Sequence, residues 1–263
     1  MSHHESLLTA CLILGLSSVN AQASLTVADN GLSVYDSGIN ASWTQDGNLL
    51  GSLESSQGFN AIVNTIIAND PIIYDLNNSY DNNGTGQYQL SISDFGYNGR
   101  VDWWAAQAFV SYLNSLNNGS GYGGSNHWVL PSTPDIDTSI GSNINNSQLS
   151  ELYYNELNAL AYPGTNSNDY GILHQGSTVI SGNAGPFSNA QADRYWFGTE
   201  FASDPTFAWF FNNYYGSQVY TNKDSQFFVW AVSPAQGNPV PVPGAVWLFG
   251  TGILGLLGLK RGR

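Results

Sequence analysis

The chain has 263 residues and a formal net charge of −13, with 42% hydrophobic and 13% aromatic residues but only 10% charged ones. Lys260, Arg261 and Arg263 account for three of the six basic residues, so the body carries only Arg100, Arg194 and Lys223. Such a surface repels phosphate backbones and anionic lipid, which excludes nucleic acid as a partner.

Solubility falls to Asn, Ser, Thr, Gln and Gly, a mix typical of extracellular proteins. Residues 7–16 form an apolar run too short to span a bilayer. The run leads to Ala21-Gln22-Ala23, whose small residues at alternate positions suit the pocket of signal peptidase. The sequence therefore predicts a signal peptide over 1–23 and a mature chain beginning at Ser24. That cleavage removes Cys11, the only cysteine, leaving no disulfide, thiolate nucleophile or cysteine metal ligand. With both ends of the chain set aside, about 210 residues remain for one domain with a single core.

Along the body, residues 24–60 read as short strands and turns, with turn signals at Asp29-Asn30-Gly31 and Asp36-Ser37-Gly38. Residues 59–67 read as a helix, because Ile62-Val63 and Ile66-Ile67 recur at a spacing of four. A polar loop over 77–86 precedes a predicted strand over 87–92. The best helix covers 103–116, with Asp102 as N-cap and Ala105, Ala108, Phe109, Tyr112, Leu113 and Leu116 on one stripe. A second helix is predicted over 148–160, capped by Ser147, with Leu149, Leu152, Tyr153, Leu157 and Leu160 inward. Residues 195–232 alternate like paired strands, with turns at Asn212-Asn213 and Asn222-Lys223-Asp224. Two main helices followed by an aromatic antiparallel sheet predict an α+β domain over 24–233. Residues 234–243, rich in Pro, Gly and Asn, read as a linker.

Residues 244–259 are uncharged, and as a helix would measure roughly 24 Å against a hydrocarbon core of about 30 Å. Lys260, Arg261 and Arg263 would hold the C-terminus on the cytoplasmic side. The order of proline motif, apolar helix and basic end resembles the PEP-CTERM sorting signal recognised by exosortases. Residues 243–252, Pro-Gly-Ala-Val-Trp-Leu-Phe-Gly-Thr-Gly, carry the closest likeness. The signal's usual Glu between the prolines Pro241 and Pro243 is here Val242. This resemblance implies export in a Gram-negative-type bacterium, transient inner-membrane anchoring, cleavage by an exosortase-type protease, and release to the cell surface or extracellular matrix.

Chemistry-bearing constellations are sparse. The body has two histidines, His127 and His174, and no cysteine, so three nitrogen or sulfur ligands for zinc are lacking. Asp75, Asn77, Ser79 and Asp81 stand at alternate positions, like oxygen ligands for calcium. Tyr80 and Gly86 occupy the places where an EF-hand loop needs Gly and Glu, so no metal or cofactor is expected. Trp196, Trp209, Tyr214, Tyr215, Tyr220 and Trp230 crowd one region. Exposed, such rings stack on sugars or proteins; buried, they are sheet core. Trp196, Trp209 and Trp230 are the candidate binding aromatics.

A second resemblance rests on the order of several motifs. They are Trp43-Thr44-Gln45-Asp46, the helix over 103–116, Trp128-Val129-Leu130-Pro131-Ser132, Ser150-Glu151-Leu152-Tyr153-Tyr154, Tyr195-Trp196-Phe197-Gly198-Thr199-Glu200 and Val229-Trp230-Ala231-Val232. Together they are similar to the DUF1566 (Lcl C-terminal-like) family over residues 30–233. That likeness implies a fold akin to C-type lectins and formylglycine-generating enzymes. The latter use active-site cysteines, which the mature chain lacks. Val129 stands where the family usually has Arg, which implies a lost hydrogen bond within the core.

The function expected is therefore a non-catalytic surface or matrix protein that binds glycan, matrix polymer or protein. The alternative is an extracellular hydrolase acting on polysaccharide through carboxylates.

Overall fold

The computed structural model describes residues 24–76, 84–163, 169–174 and 179–234. Strands β1 (Leu25–Ala28), β2 (Ser33–Asp36) and β3 (Ala41–Thr44) form an antiparallel meander. Asn30 and Gly31 turn the chain between the first two with positive φ, a conformation open to Asn and Gly. Asp36 fixes the second turn by accepting from Gly38 N at 2.9 Å and from Trp43 Nε1 at 3.1 Å.

Helix α1 (Leu49–Gln57) follows where short strands and turns were expected. Its Gly and three Ser obscure the helical period, and the helix is held instead by Asn48, which accepts from Gly51 N, and by buried Leu49 and Leu50. Gly58, at φ 90°, breaks the chain before α2 (Phe59–Asn69), whose Ile62, Val63 and Ile66 are buried as their spacing predicts. Strands β4 (Ile72–Tyr74) and β5 (Gln87–Gln89) pair antiparallel. The second is shorter than the predicted 87–92, because Ser91 and Asp94 form a capping box that starts a tight turn.

Asp102 begins α3 (Trp103–Gly119), accepting from Ala105 N at 2.8 Å. Regular helix ends before Leu116, whose ψ of 160° is extended, after which Asn117, Asn118 and Gly119 take positive φ. Strand β6 (Gly141–Ser142) precedes α4 (Gln148–Glu151), which Ser147 caps and a π-helical stretch, Leu152–Glu156, continues. The second predicted helix thus stops short of 160. Asn158 turns left-handed, and Leu160 is exposed rather than inward.

Strands β7 (Ser181–Ala184) and β8 (Phe187–Gln191) make a hairpin that the sequence did not announce. The meander β9 (Arg194–Glu200), β10 (Phe207–Asn212) and β11 (Ser217–Asn222) follows, with β6 at its edge in the order β6-β11-β10-β9. Beyond it, the expected strand over 227–232 joins a ladder only at its end. Phe227 and Phe228 make single bridges to Val101 and Tyr195. Then β12 (Val232–Pro234) pairs with β3 and closes the first sheet in the order β1-β2-β3-β12.

The architecture is α+β, and every named ladder among the described residues is antiparallel. Two buried clusters flank the β9–β11 sheet. Trp196, Ala208 and Phe210 join the helical cluster with Trp104 and Phe109. Their neighbours Tyr195, Phe197, Trp209 and Phe211 join the other, with Trp43, Phe187 and Trp230. A sheet covered on both faces has no use for polar alternation, which explains the run Phe-Ala-Trp-Phe-Phe in β10. The Val129 side chain is exposed, outside the core where the family likeness implied a side-chain hydrogen bond, while its backbone bridges to Val232. Among the described residues no helix is long and apolar enough to cross a membrane; the 244–259 segment lies outside them.

Candidate functional site

The three candidate tryptophans do not form a binding face. Trp196, Trp209 and Trp230 are each 0% exposed. Their indole N–H groups are committed inward, to Val101 O at 2.9 Å, Asp135 Oδ1 at 2.7 Å and Thr44 O at 2.9 Å. The reading of these rings as ligand platforms is corrected: covering β9 and β10 on both sides leaves no ring face for a partner. Ala21, Ala23, Pro241, Pro243, Lys260, Arg261 and Arg263 lie outside the described residues.

The histidines do not join a catalytic constellation. His174 Nε2 lies 3.0 Å from Leu157 O, and the backbone N of exposed His127 donates to Ser125 Oγ. Asp75, the first oxygen of the calcium-like rhythm, is buried against Lys223, while Asn77, Ser79 and Asp81 fall outside the described residues. Among the described residues no cluster of three or more His, Cys, Asp or Glu side chains is placed to hold a metal ion.

The exposed rings are elsewhere. The β10–β11 turn runs Asn212-Asn213-Tyr214-Tyr215-Gly216, and Asn212 Oδ1 accepts from both Tyr214 N at 3.0 Å and Tyr215 N at 3.2 Å. Gly216 closes the turn with φ 63°, and a Cβ there would stand 2.8 Å from Tyr153. Two neighbouring stretches are tied to this turn through Tyr162 N to Tyr215 O and Ile172 N to Asn213 O, both 2.9 Å. The result is a tyrosine cluster in which rings 162 and 170 are 5.0 Å apart, 162 and 215 are 5.6 Å apart, and 170 and 214 are 5.3 Å apart. Tyr162 is 51% and Tyr215 44% exposed, whereas Tyr170 is buried and shares a 2.9 Å hydroxyl contact with Tyr214. Two open rings backed by two held ones give apolar faces with polar rims, the combination that stacks on sugar rings or packs on protein.

A second feature lies at the head of α3. Lys223 Nζ, fully buried, donates to Asp75 Oδ2 at 2.6 Å and to Glu200 Oε1. It sits 4.3 Å above the Trp103 ring, while Trp104 Nε1 donates to the same Asp75 oxygen at 2.9 Å. The Trp104 ring stacks on Tyr88, whose hydroxyl bonds Asp94 at 3.0 Å and reaches Asp102 at 3.4 Å. Burial pushes the Asp102 carboxyl up to about 8, with the Asp94 and Asp224 charges adding to it and the Ala105 N–H opposing it. Asp70, Ile72, Tyr74, Trp103 and Gln107 line an open groove of about 450 Å³ beside this cluster. Two other carboxyls are raised: Glu156, pushed to about 7 by burial first and then by Asp36 and Glu151, and Glu54, raised by burial against the opposing backbone N–H groups of Gly99 and Asn98.

Tyr214 and Tyr215 stood among the aromatics singled out from sequence and Tyr162 and Tyr170 did not; Asp75 was noted only for a calcium-like rhythm, and its pairing with Lys223 was not foreseen. One signal was present: Tyr214-Tyr215 falls between Asn and Gly in a turn, where rings face outward, whereas Trp196 and Trp209 fall within strands. No family model, curated protein or solved structure matches the chain.

Proposed function

We propose that this is an exported, non-catalytic surface or matrix protein that binds a glycan, matrix polymer or protein through the Tyr162–Tyr215 cluster. The observation that carries this reading is the pair of open rings, fixed by Tyr170, Tyr214 and the Asn212 turn. An acidic body favours a neutral or cationic partner over an anionic one. The sequence likenesses supply the setting: a DUF1566-type, lectin-like body delivered by signal peptidase and sorted by an exosortase-type protease.

A polysaccharide array and matrix-polymer pull-downs, run with wild type and Tyr162→Ala/Tyr215→Ala, test the reading. The wild type should bind at least one polymer, and the double variant should bind it at least tenfold more weakly while unfolding at the same denaturant concentration. Equal binding by the two proteins removes the cluster from the function. Polymer hydrolysis abolished by a single Asp or Glu substitution replaces the reading with a hydrolase.

A further inference from the structure

Lys223 is the one lysine between the two ends of the chain, and it is entirely buried. Buried ammonium groups carry a large desolvation cost, which nearby carboxylates only partly offset. Here the side chains of Lys223 and Asp75 are 0% and 1% exposed, and Glu200, the second carboxylate on the same nitrogen, is 32% exposed. The two buried charges are 148 residues apart in sequence, one just after β4 and the other just after β11. Trp103 and Trp104 wall the pair from water.

We propose that Lys223 and Asp75 condense into an intramolecular amide, with Glu200 as the proton carrier, so that the mature fold is closed by a covalent cross-link. The arrangement holds the parts that amide formation requires. The nitrogen is 2.6 Å from Oδ2, which places the electrophilic Cγ one bond beyond it. Holding nucleophile and electrophile in contact replaces a bimolecular encounter by a unimolecular step. Trp104 Nε1, 2.9 Å from Oδ2, is aimed at the oxygen on which negative charge develops during attack.

In the step, one ammonium proton passes to the Glu200 carboxylate. The amine lone pair then attacks Cγ of Asp75 and the C–N bond forms. The adduct collapses by breaking the bond between Cγ and Oδ1, which leaves as water. The two protons of that water come from the former ammonium, one of them by way of Glu200, which ends ionised as it began. One ammonium and one carboxylate become one amide and one water, with no oxidant or co-reactant. Two buried charges vanish, and the carboxylate that remains is the partly exposed one. The burial that drives the condensation also keeps water from reversing it.

The full chain, expressed with export and recovered from the cell surface, provides the test by mass spectrometry after denaturation and trypsin digestion. The expected wild-type result is a loss of one water, no tryptic cut after Lys223, and a branched species joining the peptides of Asp75 and Lys223. Lys223→Arg keeps the charge but not the acyl-accepting amine, and Glu200→Gln keeps the shape but not the proton carrier. Both should show the mass of the processed chain with no loss of water, and no branched species. Wild-type protein with no loss of water that is cleaved after Lys223 overturns the proposal and leaves an ion pair only. Loss of water with Lys223 still cleavable also overturns it, by locating the dehydration elsewhere. A branched species in Glu200→Gln overturns the role given to Glu200. None of these readouts depends on the tyrosine cluster or on any ligand.

Discussion

At the first turn of α3, Asp102 combines a capping role with a carboxyl that burial keeps protonated up to about pH 8. Its folded pKa is raised above the ordinary value of 3.8. Its contribution to stability is therefore fully present below that value and is lost as pH rises through about 8. Asn caps helices about as well as Asp but does not titrate. The stability of wild type relative to Asp102→Asn should therefore fall between about pH 4 and pH 8, by on the order of 1–3 kcal/mol. Urea unfolding of both proteins across that range checks it, and a constant difference would refute it. Phe109 makes the complementary case for an apolar residue. It is 1% exposed on the inner face of α3, so Phe109→Ala should cost about 3–5 kcal/mol. A loss below about 1 kcal/mol in the same assay would show that its site collapses without a cavity.

Among the elements, α1 and the β10–β11 turn each rest on contacts of one polar side chain, Asn48 and Asn212. Asn48 caps α1 and also donates from Nδ2 to Asn98 O at 3.0 Å, joining the helix to the chain before α3. Asn48→Ala should destabilise the protein by about 1–2 kcal/mol, measured by chemical denaturation. At the turn, Gly216 combines φ 63° with no room for a side chain. Gly216→Val should cost on the order of 1–3 kcal/mol and shift the fluorescence of the neighbouring tyrosines. An unchanged stability would mean that the turn has an alternative geometry.

For the whole molecule, the aromatic sheet is the partition on which both clusters are built, and the first and last described strands meet in one sheet through β3. On the proposed export route, N-terminal sequencing of the exported protein should give Ser24 as the first residue; retention of Cys11 would refute it. On the same proposed route, a helix over 244–259 would be too short for an unstrained anchor, and Pro241 and Pro243 would hold the preceding chain extended for the protease. The surface form should therefore end near Pro243, and Pro241→Ala/Pro243→Ala should remain uncut in the inner membrane. A surface peptide spanning 247–259 would show a permanent anchor instead.

The sequence by itself determined the elements whose signals are local. Asp102 and Ser147 cap the helices expected of them, and the spacing of Ile62, Val63 and Ile66 marks the buried stripe of α2. The expected turn at Asn212-Asn213 likewise separates β10 from β11, and the one at Asn222-Lys223-Asp224 follows β11, in the antiparallel sheet of an α+β fold. Periodicity and caps depend on residues within one turn of each other, so they are legible without the fold. Where local preference is weak, tertiary packing decided. Helix α1 forms from a Ser- and Gly-containing stretch because Leu49 and Leu50 find a core, and the second predicted helix stops where Asn158 turns back. The tryptophans illustrate the limit most directly. A ring in a strand reads identically whether its face meets water or a second layer, and only the packing of clusters on both sides of β9–β11 buries Trp196, Trp209 and Trp230. The tyrosine cluster and the contact of Lys223 with Asp75 likewise join residues far apart in the chain, through distances that no one-dimensional pattern encodes.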